Sequence, residues 1–375
     1  MLGGCVTDTS QVLATLVDYR QRVLDALLQR LPNGKPGRYL YDLLPAYPRR
    51  LGKGLRPALV LATCGAFHGD EEDALPFAVG IELLHNAFLV HDDIQDGSRL
   101  RRGRLSLPAE YGTGLALCAG DALALEALAV FREAADRLPV RSETVMAEVE
   151  TAVRRTIEGQ AIELGWERDR RLDVTASDYL DMVLHKTSWY SVILPCRLGV
   201  LAAGLPLGPE RFLRFGSLTG AVLQIGDDLL SLITEADQSG KDWGDDVLEG
   251  KRSLPVIHFL LNAPEHERRR MGALLAAPRD RRRREDAHWV VELLNRRGSL
   301  DFALRCAQAL AIEARAELTV ELGLARISPY GPFLDGVVSA LASRCTGIPF
   351  GQASEETRLS KVPGGQSWSL AEDVV

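Results

Sequence analysis

Apolar residues recur at helical spacing along nearly the whole chain. Leu13, Leu16, Val17, Val23, Leu24, Leu27 and Leu28 trace one amphipathic stripe. Similar stripes predict helices over residues 57–67, 74–96, 116–138, 143–165, 177–190, 210–232, 253–261, 288–296 and 300–322. Arg56-Pro57 suits a helix start, and Ser177 with Asp178 suits the opening of another. No segment alternates polar and apolar residues convincingly enough to predict a sheet. The pattern therefore predicts an all-α protein, a single large helical bundle around a central cavity, over residues 11–343. Residues 1–10 read as a flexible N-terminus. Residues 344–375, rich in Gly, Ser and Glu, read as a disordered tail.

Composition narrows the picture only a little. The 375 residues are 46% hydrophobic and 25% charged, ample for a large core. A net charge of -7 and the lack of a basic stripe interleaved with aromatics argue against nucleic acid as a partner. The arginine runs at 268–270 and 281–284 sit among acids and read as a solvated charged helix and loop. None of the six cysteines forms a CxxC pair. No secretory signal and no uncharged 18-residue apolar stretch is present, so stable membrane insertion is not expected. A reducing, cytoplasmic setting is the default expectation.

The candidate chemistry lies in two acidic clusters inside apolar segments. One is Asp92-Asp93-Ile-Gln-Asp96; the other is Asp227-Asp228-Leu-Leu-Ser231. Carboxylates so placed repel one another and are costly to bury. A hard cation with oxygen ligands, Mg²⁺ shared with substrate phosphates, makes them tolerable. On a helix His85, Phe88, Asp92 and Asp96 share one face. Three basic segments accompany the acids: Gly52-Lys53-Gly54-Leu55-Arg56-Pro57, Arg99-Leu-Arg101-Arg102-Gly103, and Gly240-Lys241 through Gly250-Lys251-Arg252. Glycines ahead of a helix let backbone N–H groups reach an anion, and arginine forks match diphosphate oxygens.

Taken together, these motifs resemble the trans-prenyltransferases, or polyprenyl diphosphate synthases. Asp92, Asp93, Asp96, Arg101, Arg102 and Gly103 match the family's first motif, and Gly52, Lys53, Arg56 and Pro57 its Gly-Lys-x-x-Arg-Pro. Gly159-Gln160 and Lys186-Thr187 match its mid-chain pair. Gln224, Asp227 and Asp228 match its second motif, and Lys241 with the 249–255 segment its closing loop. The resemblance implies condensation of isopentenyl diphosphate with an allylic diphosphate by a homodimer holding about three Mg²⁺ per site. Asp92, Asp96 and Asp227 would hold the metal, supported by Asp93 and Asp228. Arg101, Lys186 and Lys241 would contact the allylic diphosphate. Lys53, Arg56, His85 and Arg102 would bind isopentenyl diphosphate. Gln160 and Thr187 would present dipoles to the developing cation, and Gln224 and Lys251 would join the substrate contacts. Ser231 departs from the acid common at its position, and of the pair Asp245-Asp246 the second is taken as the family's loop acid.

Product length is read as a ruler along the first acidic helix. Phe88 and Ala87 lie about one turn before Asp92, with Leu84 and Ile81 deeper. One bulky and one small position suggest a product of medium length, geranylgeranyl (C20), with farnesyl (C15) next. A terpene cyclase on the same scaffold is the alternative, but it has no use for a second diphosphate site at Lys53, Arg56 and Arg102.

Overall fold

A computed structural model of the chain describes residues 9–233, 244–323, 325 and 328–344. Helices carry the architecture. In order they are α1 (Thr9–Arg30), α2 (Leu55–Ala66), α3 (Glu71–Asp96), α4 (Leu107–Tyr111), α5 (Thr113–Ala135), α6 (Ser142–Arg168), α7 (Ala176–Val183) and α8 (Leu194–Ala202). They continue with α9 (Leu213–Ile233), α10 (Asp245–Glu249), α11 (Leu254–Asn262), α12 (Glu265–Ala276), α13 (Arg284–Arg296), α14 (Ser299–Leu322) and α15 (Tyr330–Ser343). A π-helical segment, Leu184–Ile193, joins α7 to α8 without a break. α3 packs along α5, while α9 lies between α14 and the π segment. The apolar faces merge into one buried cluster that includes Phe77, Leu84, Val183, Phe215, Leu229 and Leu310.

Local chemistry sets the helix ends. Thr175, not Ser177, caps α7: its hydroxyl accepts from Asp178 N–H at 3.1 Å, and the Asp178 carboxylate accepts from Thr175 N–H at 2.8 Å. The Leu194 N–H reaches back five residues to Trp189 O, and Pro195 follows with no N–H to give. A wide turn before the proline thus extends the predicted helix well past residue 190. Close approach to this segment selects for glycine. A Cβ at Gly159 of α6 would lie 2.2 Å from Lys186 N, and one at Gly220 of α9 would lie 2.1 Å from Ser188 Oγ.

The pattern missed some elements. Arg102 and Gly103, both with positive φ, turn a two-residue hairpin in which Leu100 faces Leu105 and Arg101 faces Arg104. Helix α12 opens Glu-His-Glu-Arg-Arg-Arg and buries only Met271, Gly272 and Leu275, so its charged run reads as helix but its bounds leave too thin a stripe to detect. α1 already begins at Thr9, inside the segment expected to be flexible. Arg344, taken as the start of the tail, is the C-cap of α15; residues 345–375 lie outside the described residues.

Two helices, α3 and α5, are long and apolar enough to cross a membrane by length and composition. Two thirds of the α3 window is buried in the core, against 39% for α5. The remaining α5 face exposes Leu117, Leu125 and Leu128. Cys64, Cys118, Cys196 and Cys306 are free thiols.

Candidate active site

The first acidic cluster ends α3, which Gly97 stops in the left-handed region. In the 100–105 hairpin Arg101 is the last strand residue and Arg102 begins the turn. Arg101 turns onto the acids. Its Nε donates to Asp93 Oδ1 at 2.8 Å, and its Nη2 lies 3.1 Å from Asp92 Oδ2. Asp93 is fully buried and also accepts from the phenol of Tyr47. Burial raises the Asp93 pKa, opposed by Arg101. Arg101, assigned from the sequence to the allylic diphosphate, is thus the counter-ion of Asp92 and Asp93 here.

The second cluster lies on α9. Asp227 is half exposed, with Lys53 Nζ 3.7 Å and Arg344 Nη2 3.2 Å from its Oδ1. Asp228 is buried and accepts from Tyr179 OH at 2.7 Å and from Gln224 Nε2 at 2.7 Å. Gln224 in turn accepts from Thr187 Oγ1 at 2.6 Å. Thr187 and Gln224, expected near the substrate, therefore form a relay that fixes Asp228. Burial and the neighbouring Asp246 carboxylate raise the Asp228 pKa. Ser231 donates to Asp246 of α10 and lies 2.8 Å from Asp228 O. A loop carboxylate thus stands where the second motif lacks its own.

Lys251 ties the first cluster to α10. Its Nζ lies 3.3 Å from Asp96, 3.4 Å from Asp246 and 2.7 Å from Glu249. Burial alone would lower its pKa, but these carboxylates raise it well above the ordinary lysine value. Lys251, expected to contact substrate, is instead a bridge between the end of α3 and α10. Arg279 braces the same corner, donating to Asp96 O and lying 3.4 Å from Glu249.

The remaining cations gather beside this mouth. Lys53 and Arg56 flank the start of α2, where Gly54 takes the positive φ that begins the helix. Arg102 packs on Gly52 and donates to Tyr47 O at 3.2 Å. Arg56 contacts His85 Nε2 at 3.3 Å and donates to Tyr190 OH and Ser191 Oγ, each at 2.8 Å. Burial and the nearby arginines hold the His85 pKa well below its usual value, so the imidazole is neutral. Lys186 pairs with Glu163 of α6, which raises its pKa against the effect of burial. Gln160 donates to Gln95 at 2.8 Å, beside Asp96. Phe88 is half-buried, edge-to-face with Tyr190 at 5.2 Å. Ala87, Leu84 and Ile81 are buried. Lys241 lies outside the described residues.

Sequence reasoning missed Tyr47, Tyr179, Glu163, Tyr190, Arg344 and Glu249. Glu163 carried a local signal, one turn beyond Gln160 on the same helix, and Glu249 stood in the matched closing-loop segment without a role. Among the described residues no three His, Cys, Asp or Glu side chains converge into a ready-made metal nest. Asp92 and Asp96 near the end of α3 and Asp227 on α9 are nevertheless hard oxygen donors. Such a donor set suits Mg²⁺ whose remaining positions are filled by water and diphosphate oxygens.

Comparison with known proteins now defines the class. Residues 38–294 match the polyprenyl synthetase family, and the chain belongs to that family. It is 32% identical over 273 residues to a geranylgeranyl diphosphate synthase of Saccharolobus solfataricus, covering 72% of this chain and 81% of the relative. It is 30% identical over 331 residues to a geranylfarnesyl diphosphate synthase of Natronomonas pharaonis, covering 84% and 94%. The crystal structure of geranylgeranyl pyrophosphate synthetase from Pyrococcus horikoshii superposes with a TM-score of 0.73 at 29% identity, covering 89% of this chain and 98% of that one.

Proposed function

We propose that the chain is a short-chain trans-prenyl diphosphate synthase that condenses isopentenyl diphosphate with an allylic diphosphate. The observation that carries this reading is that the ends of α3 and α9 both engage α10 beside a cation-lined mouth: Lys251 pairs with Asp96 and Asp246, and Ser231 donates to Asp246. Family membership and relatives named as geranylgeranyl and geranylfarnesyl diphosphate synthases support it.

Asp92, Asp96 and Asp227 would hold about three Mg²⁺ together with the allylic diphosphate. When bound, the metal neutralises charge developing on the leaving diphosphate. The residues do the rest. Lys186 adds positive charge on that side, and Arg101 holds Asp92 in place. Lys53, Arg56, Arg102 and the neutral imidazole of His85 form the cradle for isopentenyl diphosphate. The allylic carbon–oxygen bond breaks, the isopentenyl double bond attacks the cation, and a proton is lost to the departing diphosphate. Holding both reactants in place supplies much of the rate. Phe88 and Tyr190 help keep water from the cation.

The product reading is C20, with C15 next. Phe88, braced by Tyr190, lies one turn below Asp92, with buried Leu84 and Ile81 deeper along α3. The exposed α5 face of Leu117, Leu125 and Leu128 suits a homodimer, which light scattering would detect. Free thiols suit a reducing compartment such as the cytoplasm.

The test is product analysis with labelled isopentenyl diphosphate and C5, C10 or C15 allylic diphosphates, with Mg²⁺ and after chelation. Elongation that stops on chelation is the expected result. Turnover of a long allylic diphosphate without isopentenyl diphosphate, to a cyclic hydrocarbon, would overturn it in favour of a cyclase.

A further inference from the structure

Both acidic clusters contain two adjacent aspartates, and in both the second is turned inward onto a buried tyrosine. Asp93 accepts from Tyr47 OH, and Asp228 accepts from Tyr179 OH at 2.7 Å. The two tyrosines are 0% and 1% exposed. Neither lies near its carboxylate in sequence: the separations are 46 and 49 residues. Each carboxylate has a second donor, Arg101 for Asp93 and Gln224 for Asp228. Tyr47 OH also accepts from Leu107 N–H at 2.9 Å, so its one proton points at Asp93.

Successive residues on a helix point about 100° apart. Fixing the second aspartate inward therefore aims the first outward. Side-chain exposure follows that rule: Asp92 and Asp227 are 21% and 50% exposed, whereas Asp93 is fully buried. A carboxylate without a fixed neighbour could rotate between the core and the mouth. With the neighbour held by two donors, the backbone of the last helical turns is fixed, and the outward carboxylates with it.

We propose that Tyr47 and Tyr179 are positioning residues, a matched pair of phenolic clamps that aim Asp92 and Asp227 at the metal–diphosphate unit. This rests on the proposed synthase reading. The clamps touch neither substrate nor metal; they act through Asp93 and Asp228.

Tyr47→Phe and Tyr179→Phe remove one oxygen each and keep the ring that fills the core. Tyr19→Phe is the control: Tyr19 OH donates to Glu71 at 2.7 Å, the same phenol–carboxylate bond outside the site. The probe is inorganic diphosphate titrated calorimetrically with Mg²⁺ present, alongside the Mg²⁺ dependence of turnover. A hydrogen bond to a charged group is worth about 1.5–3 kcal/mol, which sets the expected loss at roughly tenfold or more. Tyr47→Phe and Tyr179→Phe should weaken Mg²⁺–diphosphate binding and raise the Mg²⁺ requirement by that factor. KM for isopentenyl diphosphate should stay within about twofold. Tyr19→Phe should lower Tm alone. Wild-type protein that fails to bind Mg²⁺–diphosphate would overturn the synthase reading and the clamps with it. Wild-type binding that both phenylalanine variants match would overturn the clamps alone, as would a lowered Tm with an unchanged Mg²⁺ requirement. Should one variant fail to fold, the other decides.

Discussion

Gly159 is where a single methyl group should do most harm. It lies on α6 beside Gln160, at the crossing with the π segment. A Cβ there would stand 2.2 Å from Lys186 N, 2.6 Å from Lys186 Cα and 2.8 Å from His185 C. Every one of these is a backbone atom, so no side chain can swing aside. Comfortable contact is about 3.5 Å, and the two elements must therefore part by about 1 Å. Overpacking of that kind costs about 1–3 kcal/mol. Lys186, Thr187 and Gln160 move with the backbone, and a 1 Å misplacement in a catalytic site costs about 100-fold in rate. Gly165, on the same helix, has open space around its would-be Cβ. There the same change should stabilise by about 1 kcal/mol through helix propensity. Urea unfolding followed by circular dichroism, with kcat/KM measured in parallel, makes the comparison. Gly159→Ala is expected to lose about 2 kcal/mol and about 100-fold in kcat/KM, and Gly165→Ala neither. Equal behaviour of the two variants would refute the described crossing.

Other outcomes follow from neighbouring features. Phe88→Ala should lengthen the main product by about one C5 unit, since a helical turn spans about 5 Å; an unchanged product distribution would contradict the ruler. Lys251→Met leaves Asp96, Asp246 and Glu249 without their shared cation and should cost about 3 kcal/mol near neutral pH. Burial holds the Asp96 pKa up at about 7, so its protonated form is favoured at low pH and the ion pair strengthens as pH rises. The Tm deficit of Lys251→Met should accordingly be smaller near pH 5 than above pH 7, and a deficit that does not grow would count against the bridge. Burial pushes the Cys64 and Cys196 thiols up to about 12, while Cys118 is exposed. Peptide mapping after native alkylation should find Cys118 modified and the other two intact; equal labelling would refute their burial.

Much of the fold was legible because long apolar stripes leave a period that survives noise. The helices carrying Asp92 and Asp227 were of this kind, and so was the presence of two acidic clusters. Helix α12 was legible only as a charged helix without bounds, because six polar residues at its start hide three buried ones. Nor was the cap of α7: Ser177 and Thr175 are both good caps, and only the reciprocal bond with Asp178 decides between them. Within the site, residue types were readable but their partners were not. Lys251 meets Asp96 across 155 positions, and Arg344 meets Asp227 across 117. Chain pattern encodes local periodicity, whereas such pairings depend on how helix ends converge. The same limit explains why Arg101, Thr187, Gln224 and Lys251 were read as facing substrate when each is engaged with another protein group.

The π segment has a consequence for how this protein can change. Here Lys186 meets α6 through Glu163, Thr187 meets α9 through Gln224, and Tyr190 meets α2 through Arg56. Five consecutive residues thus act as an axle with spokes to three walls. Loss of one residue from this stretch would relax it to ordinary pitch and swing every spoke past its socket. Lineages that retain the chemistry should tolerate substitutions here far better than insertions or deletions.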